Sequence, residues 1–234
     1  MLLKAEQLAA HLERELRPLY VLYGDEPLLV LEAADAIRAR ARNAGYSERE
    51  VLTVLPQFDW GQLLAAGGNL SLFGDRKLID LRIPTGKPGK EGSAALQQWC
   101  QHLSPDNLLL VTLPELDWRE EKAAWFTALA NAGVAVKLNA PPLAELPGWI
   151  AGRLRRQQQS AEPDSLKFIA ERVEGNLLAA HQEIQKLALL YPAGKLSDAQ
   201  IRDAVLNVPA TTLTPCATRC WPAMSAAWSA PSMA

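Results

Sequence analysis

Leu19-Tyr-Val-Leu-Tyr-Gly-Asp-Glu-Pro27 decides the fold. Its first five residues are a continuous β-favouring run, the pattern of a strand buried on both faces. Gly24-Asp25-Glu26 breaks the run, and Pro27 suits the first position of a helix, where its missing N–H costs nothing. That helix is predicted to reach about Asn43, with Gly45 at its C-terminal cap. A buried strand feeding a helix through a short turn is the first unit of a parallel, helix-covered sheet.

The same alternation extends outward. Upstream, Leu8, Leu12 and Leu16 recur every four residues and mark one face of a helix ended by Pro18. Downstream, strands are predicted at Val51–Leu55, Lys77–Ile83, Leu108–Leu113 and Val134–Leu138. Between them come a helix opened by the capping-box spacing Asp59-Trp-Gly-Gln62, a helix at Ser93–His102, and one at Lys122–Asn131 behind a second such spacing, Asp117-Trp-Arg-Glu120. The expected fold is therefore α/β, a mostly parallel sheet with helices on both faces. After Ala140-Pro-Pro142 the pattern changes to helices alone: Leu146–Gln158, Ser165–Val173, Asn176–Tyr191 and Ser197–Val205, the last opened by Ser197-Asp-Ala-Gln200. The expected organisation is an α/β domain over residues 1–140, a small all-helical domain over 141–210 and an atypical tail over 211–234.

Composition narrows the function. Twenty-four Lys and Arg against 26 Asp and Glu leave a formal charge of −2 in 234 residues, which argues against a protein that coats nucleic acid by neutralising phosphates. No apolar run approaches the roughly 20 residues of a bilayer span, and Met1–Arg17 lacks a signal peptide's apolar core. Three cysteines make no disulfide framework, so the cytoplasm is the expected location, without membrane contact.

Few motifs in the chain carry chemistry. Gly24-Asp25-Glu26 is too short for a phosphate-binding loop, and its two carboxylates repel a triphosphate. The glycine cluster Gly86–Ser93 follows a later strand and carries Pro88 and Glu91, the marks of a surface loop. The apolar strand ending Val111-Thr-Leu-Pro-Glu115 offers no acidic pair for magnesium. His11, His102 and His181 lie far apart, each without a partner at metal-ligand spacing; His11 and His181 are expected at solvated or edge positions on helices. Cys216 and Cys220 are half a zinc pattern without the other half. No catalytic residue, cofactor or metal is expected.

Two features stand out. Asn69-Leu-Ser-Leu-Phe-Gly-Asp-Arg76 follows Gly67-Gly68 and carries Leu70, Leu72 and Phe73 without polar protection. Either these three fill the domain's own core or they form an apolar plug for a pocket on a partner. A buried Leu or Phe contributes roughly 1.5–3 kcal/mol, enough for two to anchor an interface. The second feature is Arg153-Leu-Arg-Arg156, with Lys167 and Arg172 further on. It is either a solvated helix face or a phosphate-contacting patch in which Arg153, Arg155 and Arg156 touch DNA.

In their order, these motifs resemble the delta subunit of the bacterial DNA polymerase III clamp loader. The landmarks are Leu19–Leu29, Leu70-Ser-Leu-Phe73, Ala124-Trp-Phe-Thr-Ala-Leu-Ala-Asn131, and Glu174-Gly-Asn-Leu-Leu178 followed by Ile184-x-x-Leu187, covering about residues 1–214. The resemblance implies an AAA+ fold that has lost its nucleotide site, with residues 141–210 as a lid-type domain. It implies a subunit that performs no catalysis itself but serves a DNA-directed DNA polymerase holoenzyme, a nucleotidyltransferase, in DNA replication. The implied partners are the ring-shaped sliding clamp (the beta subunit), the gamma/tau and delta prime subunits through a C-terminal collar, and primed DNA inside the loader. By motif, Leu72 and Phe73 become the hydrophobic wedge that binds the clamp and holds one ring interface open, with Leu70 beside them.

The last twenty residues depart from the family. They hold two of the three cysteines and two of the three methionines but only one charged residue, Arg219, of the chain's 50, and Pro222 and Pro231 interrupt any helix. The expectation is that this tail is the product of a shifted reading frame standing in place of the collar.

Overall fold

The structure, a computed structural model, describes residues 1–68 and 76–206. Its elements in chain order are β1 Leu2–Lys4, α1 Leu8–Arg14, β2 Leu19–Tyr23, α2 Pro27–Asn43, β3 Tyr46–Thr53, α3 Gly61–Gly68, β4 Arg76–Arg82, α4 Gly89–Gln101, β5 Asn107–Leu113, α5 Trp118–Glu121, α6 Ala124–Ala132, β6 Val134–Lys137, α7 Leu146–Arg156, β7 Gln159–Ser160, α8 Pro163–Arg172, α9 Leu177–Leu190, β8 Gly194–Lys195 and α10 Asp198–Leu206. The large sheet runs β1-β6-β2-β5-β4-β3, with every described pairing parallel.

The strand alternation sorts the core into two layers. Leu19, Val21 and Tyr23 face α3, α4 and α6, where they join Ile79, Leu81, Leu109, Val111, Leu96, Phe126 and Leu129. Tyr20 and Leu22 face the other way, onto α1 and α2 with Leu12, Ala34, Ile37 and Leu110. A third core, built on Ile150, Leu154, Ile169, Leu177, Ile184, Leu187 and Ile201, lies among α7–α10.

The α/β expectation holds, and four local differences have physical causes. The N-terminus begins as a strand: Leu3 is buried, and the Met1 ammonium donates to Gly133 O at 2.8 Å, pinning β1 beside β6. β3 starts five residues before its predicted Val51, because an edge strand tolerates the exposed Ser47, Glu48 and Arg49. The helix predicted at Lys122–Asn131 is preceded by the short α5, whose cap Asp117 accepts from Arg119 N and Glu120 N at 2.9 and 2.8 Å. The part after residue 140 is not purely helical: β7 and β8 form a two-residue parallel ladder, with the buried Gln159 amide donating to Leu187 O and Tyr191 O at 3.2 and 2.9 Å.

Caps fix α9 and α10. Glu174 and Gly175 both take positive φ (50° and 84°), turning the chain so that Asn176 Oδ1 accepts from Ala179 N at 3.0 Å. At Ser197–Gln200 the box is reciprocal, Ser197 N donating to Gln200 Oε1 at 2.8 Å and Gln200 N to Ser197 Oγ at 3.3 Å. Asp198 then accepts from Arg202 and from Ser165 Oγ, and these bonds, Arg202's first, hold its carboxyl below the ordinary 3.8. A carboxyl lowered by folding stabilises above its ordinary value and loses that contribution as pH falls through the lower one. Asp198→Asn is therefore expected to lower the thermal midpoint at pH 7 and to change it less at pH 2, measured by circular dichroism.

Candidate functional site

In open α/β sheets ligands bind at the carboxyl ends of the strands. Here the position after β2 is occupied by the chain itself. The Glu26 carboxylate accepts from Leu28 N at 3.1 Å, so the N-terminus of α2, where a phosphate would sit, is capped by the protein's own anion. Glu26 N donates to Leu138 O at 3.3 Å, and Asp25 Oδ1 accepts from Ala140 N at 3.1 Å. Gly24 is required by close approach: a Cβ there would lie 2.0 Å from Leu138 O. The turn after β2 is thus a clasp on the chain leaving β6.

The described residues that flank the apolar motif, the end of α3 and the start of β4, lie at the opposite, amino edge of the sheet. Leu70, Leu72 and Phe73 themselves lie outside the described residues. Both roots of their segment are anchored. Asn107 Nδ2 donates to Gly67 O at 2.8 Å, satisfying one of the terminal carbonyls of α3, and a Cβ on Gly67 would lie 2.3 Å from the buried Trp99 ring. On the other side the Arg76 guanidinium donates to Ala44 O at 3.1 Å and lies 5.8 Å from the centre of the Tyr46 ring, while Lys77 N donates to Asp106 O at 2.9 Å.

Comparison with known proteins identifies the lineage. The family model "DNA polymerase III, delta subunit" matches residues 20–139. The DNA polymerase III subunit delta of Escherichia coli is 36% identical over 200 residues, covering 86% of this chain and 58% of that one. This chain belongs to the delta-subunit family. The delta subunit of Haemophilus influenzae is 31% identical, covering 82% of this chain and 56% of the relative, so the chain spans a little over half the length of these curated relatives. Among solved structures, the Bacillus subtilis DNA clamp loader delta protein superposes with a TM-score of 0.64 at 21% identity, covering 85% of this chain and 61% of that one. The Thermotoga maritima RuvB Holliday junction branch migration motor superposes with a TM-score of 0.51 at 14% identity, covering 86% and 67%. These likenesses establish an AAA+-type fold.

In this delta-family chain the basic stretch at the end of α7 is divided. Arg153 makes a two-pronged ion pair with Glu32 of α2 and stacks 4.4 Å from the centre of the Trp149 ring, leaving its side chain 11% exposed. Arg155 and Arg156 are exposed, and both sit in the last turn of α7, where a cation complements the helix dipole. The histidine expectation changes at His11, which is buried, its Nε2 satisfied by a 3.2 Å hydrogen bond with the Tyr20 hydroxyl.

Sequence reading missed Asp80. It is wholly buried in β4, facing α2, and its Oδ2 accepts from Arg38 Nη2 at 2.8 Å and Arg49 Nη2 at 2.6 Å. The one available signal was a lone acid inside Leu78-Ile-Asp-Leu81. Among the described residues, no cluster of three or more His, Cys, Asp or Glu could hold a metal ion, and no helix is long and apolar enough to cross a membrane.

Proposed function

We propose that this chain is a clamp-loading subunit that binds the ring-shaped sliding clamp through Leu70, Leu72 and Phe73 and holds one ring interface open so that DNA can enter. The observation carrying this reading is the segment 69–75: three large apolar side chains among seven residues, between two roots anchored on the amino edge of the sheet. Membership of the delta family supports it. The mechanism needs no chemistry from the chain. A plug that fits the open ring better than the closed one shifts the ring's equilibrium by that difference in affinity. ATP acts on partner subunits of the gamma/tau type, since Glu26 occupies the helix end that would receive a phosphate. The work belongs to replication in the cytoplasm. Assembly with gamma/tau and delta prime depends on a collar, and the expected shifted-frame tail lies outside the described residues.

The second reading, a nucleic-acid-binding module on α7, has one observation in its favour: Arg155 and Arg156 are exposed on the same helix turn. Salt separates the two readings. Binding to the clamp is expected to change little between low and moderate salt, whereas phosphate binding falls steeply with it. If the salt-sensitive partner is duplex DNA, and Arg155→Ala with Arg156→Ala removes that binding while the clamp is not bound at any salt, the clamp reading fails.

A further inference from the structure

The sheet-bearing part and the helical part meet through side chains of α2 and α7 and through the chain leaving β6. The first two turns of α2 form the joint. Leu28 belongs to the helical core, Leu29 packs against both cores, and Glu32, one turn beyond Leu28 on the same face, takes the guanidinium of Arg153 in a two-pronged pair. Trp149 backs that guanidinium from α7. At the other side of the joint the connecting chain is held at two successive points, Leu138 O by Glu26 N and Ala140 N by the Asp25 carboxylate. Between these two sets of contacts lies a cleft of about 520 Å³ bordered by α1, α2, residues 138–142 and α7.

We propose that Asp25, Glu32 and Arg153 form a brace that fixes the angle between the two parts without any nucleotide. A ligand moves a joint only through contacts that differ between two arrangements. Here the turn's carboxylates and the α2 helix end, the groups that would carry such contacts, are already committed to the connecting chain and to α2 itself. The helical part is held by a side-chain pair that is one-tenth exposed on its arginine side, a setting in which loss of one partner strands a charge. The joint angle is thus a constant of the fold, which presents the amino edge of the sheet and α7–α10 in one fixed relation.

The test is a distance measurement across the joint in the full chain. Spin labels are placed at the exposed Lys90 and Glu171, with Cys100, Cys216 and Cys220 replaced by alanine, and the interspin distance is read by pulsed electron resonance. A single narrow distribution is expected, unchanged by millimolar Mg·ATP. Arg153→Glu, which sets two carboxylates face to face, is expected to remove the narrow peak, and the exchanged pair Glu32→Arg with Arg153→Glu to restore it. Circular dichroism verifies that each variant is folded, and Glu32→Gln replaces Arg153→Glu if the latter is not. A broad distribution in the unsubstituted chain, a shift on adding Mg·ATP, or a peak unmoved by breaking the pair would overturn the brace.

Discussion

Asp80→Ala is expected to reduce stability by about 3–5 kcal/mol. The Asp80 carboxylate has no solvent exposure, and it gathers Arg38 from α2, Arg49 from the edge strand β3 and, at 3.7 Å, Arg82 from its own strand. Arg38 is the partner that suffers most. Its side chain is 13% exposed, and of its acidic partners only the exposed Asp35, at 2.6 Å, would remain. Arg49 is 44% exposed and returns to water at little cost. Removing Arg38 instead leaves the buried carboxylate to Arg49 and the more distant Arg82, with Asp80 Oδ1 still lacking a hydrogen-bond partner. Asp80→Leu combined with Arg38→Leu should therefore cost less than the sum of the two single changes, a coupling that urea unfolding followed by circular dichroism would measure. Simple additivity would mean that the two groups act independently.

Asp80 also marks where sequence reading stops. β2 and α2 are found at their predicted bounds because a continuous apolar run, a turn and a proline at a helix start each constrain the backbone locally. β1 was not legible, since its three residues become a strand only through the distant β6 and the anchoring of the Met1 ammonium. The two-residue ladder β7–β8 carries no periodic signal at all. The same limit applies to the site. The segment proposed as a plug could be singled out from its lack of polar protection, whereas its roots depend on Asn107, Trp99 and Tyr46, which lie 20 or more residues away and give no sign of that role. The pairing of Arg153 with Glu32 spans 121 residues and was equally invisible: a guanidinium that sequence left as either solvated or a phosphate contact is paired within the chain.

Leu72→Ala with Phe73→Ala is expected to weaken binding to the sliding clamp by about 3–6 kcal/mol, roughly a 10²- to 10⁴-fold loss. Each of the two large apolar side chains, withdrawn from water into a partner pocket, contributes roughly 1.5–3 kcal/mol. On the proposed reading the two side chains serve the clamp contact and not the domain's core, so the thermal midpoint should be unchanged. Leu70→Ala, in the neighbouring position, is expected to cost less affinity while reducing the fraction of rings held open.

Whether Leu72 and Phe73 hold the clamp is decided by calorimetric titration of this chain into the sliding clamp from the same source, with and without the Leu72→Ala, Phe73→Ala substitutions. Saturable binding is expected for the unsubstituted chain, and its loss in the doubly substituted chain at an unchanged thermal midpoint. Equal affinity of the two chains for the clamp would contradict it.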